Sequence, residues 1–126
     1  MKTEKIYTQH EENKEWMNNL LFCKDELRIM QSRIQEIASK YTSKDVLVQV
    51  EHFQNQIIVQ KNNLDTLEHE INLSSDAITT ELKENEKAAD LRTMEDHAST
   101  RGRMEGFMKI FSELRTELNQ FLSKTM

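Results

Sequence analysis

Proline is absent from the 126 residues, glycine occurs twice, cysteine once, and aromatic side chains make up only 6%. Strand-rich and loop-rich folds need glycine and proline for hairpins and tight turns, so all-β and Rossmann-type architectures are excluded, along with Pro-rich or collagen-like disorder. A lone cysteine, Cys23, closes no internal disulfide and suits a reducing compartment. Long apolar runs are also missing: no stretch approaches the roughly 18 residues of a membrane-spanning helix, and Met1 to Thr8 lacks a signal-peptide core. The expected setting is cytoplasmic. The helix is the element that survives these exclusions.

Charge is abundant but mixed. Charged residues are 31% of the chain, and the net charge is −5. Six arginines and eleven lysines are interspersed with acids, so no concentrated positive surface forms and nucleic acid is not an expected partner. Hydrophobic content of 37% is low for a thick core and suits a narrow apolar seam.

Three such seams run along the chain at alternating gaps of four and three. The first is Trp16, Leu20, Cys23, Leu27, Met30, Ile34, Ile37 and Tyr41. Thr8 with Glu11 has the form of a capping box at its start, with a backward extension of the helix through Tyr7 and Ile6 as the alternative, and Thr42 with Asp45 has that of a second N-cap. The second seam runs from Val46 through Val50, Phe53, Ile57, Gln60, Leu64, Leu67, Ile71 and Ser74 to Ile78. Its phase passes unbroken through the loop-like Asn72 to Asp76, which predicts one long helix ending near Asn85. The third is His97, Thr100, Met104, Phe107, Phe111, Leu114, Leu118 and Phe121, with Leu91, Met94 and Ala98 as a parallel stripe near its start. Helices over about 8–40, 43–84 and 87–124, joined by short connections, predict a single-domain, all-α, antiparallel up-down-up three-helix bundle with coiled-coil packing. A four-helix bundle broken near Ser74 is the alternative. In outline the arrangement, with a Trp on its first helix, is similar to spectrin-like bundles.

Chemistry-bearing patterns are sparse. No nucleophile elbow or glycine-rich phosphate loop is present, and Cys23 holds a seam position, so catalysis is not expected. The residues three before the four histidines are Tyr7, Gln49, Thr66 and Met94, so the Glu-x-x-His spacing of carboxylate-bridged metal bundles is missing. Asp65 and His69 make one i,i+4 pair. Folding the chain at its two connections brings His10 and His97 to a similar level, and a metal ion such as zinc held by them is the alternative functional reading.

A depletion is more informative. From Val46 to Thr66 only Glu51, Lys61 and Asp65 are charged, three of 21 positions. Opposite the seam lie His52, Asn55, Val59, Asn62, Thr66 and His69, flanked by Gln56, Val48 and Ile58. The back face of a solvated helix usually carries Lys and Glu, whereas an amide-rich, partly β-branched face suits burial against a partner. The expected function is that of a small protein-interaction or structural module, homodimerising along this helix or meeting another protein.

The two glycines, Gly102 and Gly106, extend from Ala98 as a small-residue stripe inside the third helix. Each costs roughly 1 kcal/mol of helix propensity relative to Ala. A close approach that lets Trp16 lie across Ala98, Gly102 and Gly106 would offset that cost, and Gly102→Leu would then overpack the bundle.

Overall fold

The computed structural model describes the backbone of residues 2–84 and 86–125 and the side chains of residues 7–78 and 97–125. It consists of α1 (Lys2–Lys40), α2 (Lys44–Glu84) and α3 (Glu86–Thr125), packed pairwise as a three-helix bundle. At 1.5 Å per residue each helix is about 60 Å long. The α2 helix is continuous through Ser74, which overturns the four-helix alternative. The N-terminal boundary also moves: α1 begins at Lys2, so Thr8 lies inside the helix and does not cap it. Between α1 and α2 only residues 41–43 leave the helix, and Leu47 N–H donates to the Ser43 carbonyl at 3.0 Å across the new start. Asn85, Leu91 and Met94 lie outside the residues whose side chains are described.

Burial follows the spacing. Leu20, Cys23, Leu27, Met30, Ile34 and Ile37 of α1 meet Val50, Phe53, Ile57, Leu64, Leu67 and Ile71 of α2, with Met104, Phe107, Phe111, Leu114 and Leu118 of α3. In the last turn of α3 the seam shifts by one position: Leu122 is buried and Phe121 only partly so. Phe121 nevertheless reaches Phe53, their ring centres 5.2 Å apart. Beside them the Tyr41 hydroxyl donates to the Thr125 carbonyl at 2.5 Å and ties the end of α1 to the end of α3. Burial pushes the Cys23 thiol up to about 11, so it stays protonated at neutral pH, within 3.7 Å of the Met108 sulfur.

The glycine stripe corrects the expectation placed on it. Ala98, Gly102 and Gly106 are all exposed, and a Cβ built on either glycine meets nothing within 4 Å. Trp16 instead stacks on His97, centroids 4.6 Å apart and planes 25° apart. No close helix approach depends on the missing side chains, and neither glycine has positive φ. Gly102→Ala and Gly106→Ala are therefore expected to stabilise the protein by up to about 1 kcal/mol each, through helix propensity and the unfolded chain. Urea midpoints check this; a drop in either variant would mean that the glycine makes room for something.

No helix among the described residues is long and apolar enough to cross a membrane.

Candidate functional site

Two regions stand apart from the apolar seam. One is a polar layer inside the bundle, where the first seam continues backwards from Trp16 through Asn13 and Gln9, both buried. Asn13 is 1% exposed. Its Nδ2 donates to the hydroxyls of Ser74 and Ser75 on α2, at 3.4 and 3.3 Å. One turn across, Glu12 reaches α3. Its carboxylate accepts two bonds from Arg101, 2.9 Å from Nε and 2.6 Å from Nη2, and a third at 2.8 Å from His97 Nε2. The Arg101 guanidinium, aided by His97, outweighs partial burial and holds the Glu12 carboxyl down at about 2. A carboxylate can only accept, so Nε2 of His97 donates, and its Nδ1 is buried without a partner.

That arrangement bears directly on the metal reading. Nε2 of His97 is committed to Glu12, and His97 is only 3% exposed beneath Trp16. Among the described residues no three His, Cys, Asp or Glu side chains gather as a metal-holding group. The layer is held by a Glu–Arg–His cluster and an indole stack.

The second region is the outer face of α2. His52, Asn55, Val59, Asn62, Thr66 and His69 are all exposed on the single chain, with Gln56 half-buried at the edge. Three aliphatic side chains share this face: Val48 is 54%, Val59 51% and Leu73 55% exposed. Leu73 continues the four-and-three spacing from His69 and could have been found from it. The Thr66 hydroxyl donates to the Asn62 carbonyl at 3.1 Å. Its hydrogen-bonding demand is met within the helix, which leaves its methyl group to the surface.

An open groove of about 440 Å³ runs beside this face, between α2 and α3. Asn63, Thr66 and Glu70 form its α2 wall, and Gly102 and Gly106 keep the α3 wall low. Glu70 pairs with Arg103 through one carboxylate oxygen, while the other, Oε2, is buried without a partner.

Glu12, Arg101 and Asn13 were not among the residues singled out from the sequence. Their partners sit on other helices, and spacing within one helix does not show them. One signal was available: Gln9 and Asn13 fall on the backward extension of the seam, so polar residues had to enter the bundle there.

No protein-family model matches the chain, and neither a curated protein nor a solved structure is significantly similar to it.

Proposed function

We propose that this is a small cytosolic helical-bundle protein that acts as an interaction or structural module by homodimerising along α2. The observation that carries the reading is the uncharged outer face of α2, on which Val48, Val59 and Leu73 are each more than half exposed. Scattered apolar residues are ordinary on a protein surface, but a contiguous stripe without Lys or Glu marks a contact surface. Asn55, Gln56, Asn62 and the two imidazoles of His52 and His69 supply donors and acceptors that stay satisfied when water leaves. Binding without chemistry fits the rest of the chain, since Cys23 is a buried protonated thiol.

Size exclusion with light scattering is expected to give twice the chain mass of 14.9 kDa. Val59→Glu, which sets a charge at the middle of the face, is expected to return the mass to that of one chain with the helical signal unchanged. A wild-type mass of one chain across the micromolar range would rule out the homodimer.

A further inference from the structure

We infer that the α2 face takes a second copy of this chain in antiparallel orientation, with the two-fold axis passing between Gln60 and Lys61. The inference rests on the homodimer reading above and adds the geometry of the pairing. About that axis the face is self-complementary: Val48 lies opposite Leu73 of the second copy, His52 opposite His69, Asn55 opposite Thr66 and Val59 opposite Asn62. Aliphatic residues meet at both ends, imidazole meets imidazole, and at the centre a valine meets an asparagine. An isologous contact needs this property, because each patch must fit itself.

Charge decides the direction. In a parallel pairing of such a four-and-three stripe, each flanking residue faces the one five positions on in the other helix. Asp65 would then confront Glu70 of the second copy, and by symmetry the repulsion would occur twice. Running antiparallel, the flanking positions pair with their own kind, so Glu70 faces Gln49, Glu51 faces Asn72 and Asp65 faces Ile58, and no acid confronts an acid. Glu70 and Glu51 each meet an amide.

The groove beside Glu70 supports this orientation independently. Oε2 of Glu70 is a buried acceptor without a partner, next to the low wall left by Gly102 and Gly106. The antiparallel arrangement brings the Gln49 side-chain amide of the second copy, a donor, to that position. The Gln56 side chain follows it towards Asn63. A neutral amide seated in this groove leaves the Arg103 ion pair of Glu70 in place.

Disulfide trapping tests the orientation at exposed positions, where a cysteine does not disturb folding. Val48 and Leu73 are about 37 Å apart along one helix, too far to link within a chain. The doubly substituted Val48→Cys/Leu73→Cys protein is expected to become a covalent dimer under mild oxidation, while each single variant stays unlinked on a non-reducing gel. Efficient self-linking by Val48→Cys alone would establish a parallel pairing and overturn the antiparallel axis, leaving the homodimer intact. A light-scattering dimer that the double variant fails to link would also overturn the axis. If light scattering gives one chain, both the axis and the homodimer fall.

Discussion

Phe111→Ala is expected to lower the unfolding free energy by about 3–5 kcal/mol, the range for emptying an aromatic site in a packed core. Phe111 is among the largest fully buried side chains. Its ring stacks near Phe107, centroids 6.1 Å apart, and the Arg115 guanidinium lies 5.8 Å from its centre. Neighbours on long helices are fixed along their whole length and collapse poorly into a local void, which favours the upper part of that range. Urea unfolding with an unchanged slope measures the loss. Ile110→Ala, at the exposed adjacent position, should change stability by less than about 1 kcal/mol and serves as the comparison. A loss at Phe111 no larger than that at Ile110 would show that the seam is loosely packed.

The second large effect is expected at Glu12. Glu12→Ala removes the acceptor of His97 and of Arg101 together, and leaves a buried imidazole with neither nitrogen partnered. An orphaned buried polar group costs about 1–3 kcal/mol, and the loss falls on the bundle as a whole. Acid dependence separates this cluster from ordinary packing. The Glu12 carboxyl titrates near 2 in the folded protein and near 4.5 as a free side chain. Its stabilising contribution is therefore complete above about pH 4.5 and disappears as the pH falls through about 2. Glu12→Gln is expected to flatten the wild-type decline in stability across that window, whereas Phe111→Ala should shift the curve without changing its shape. Thermal melts from pH 2 to 7 distinguish the two; an unaltered acid profile in Glu12→Gln would show that the carboxylate is not held by Arg101 and His97.

Helix number and burial could be read from the chain because a four-and-three spacing reports which face of a helix turns inward, whatever it turns towards. Gln60 illustrates the point: polar by type, it is buried because its position in the seam requires it. The uninterrupted phase through Ser74 likewise predicted a continuous α2. Spacing within a helix does not encode which residues meet across helices. Trp16 was expected over Gly102 and Gly106 and instead covers His97, because the register between α1 and α3 is set by the connections and by the Glu12 cluster. The local pattern at Thr8 and Glu11 has the form of a cap, yet residues 2–7 continue the helix and override it. For the outer face of α2 the sequence was sufficient to name the residues, Leu73 included, since exposure is the complement of the seam; the groove beside Glu70 emerged only once α3 was in place.

The two ends of the described bundle are held by different kinds of force. Around Phe53, Phe121 and the Tyr41 to Thr125 clasp, opening would expose apolar surface and break a short hydrogen bond. Around Gln9, His10, Asn13 and His97, four buried polar atoms lack partners in the closed form and would gain them from water. Amide exchange should therefore run as a gradient along the axis, with protection weakest beside the polar layer and rising towards the clasp. The rod then opens from one end, and an outer α2 face that reaches along much of its length spans both the loose and the tight part of that gradient.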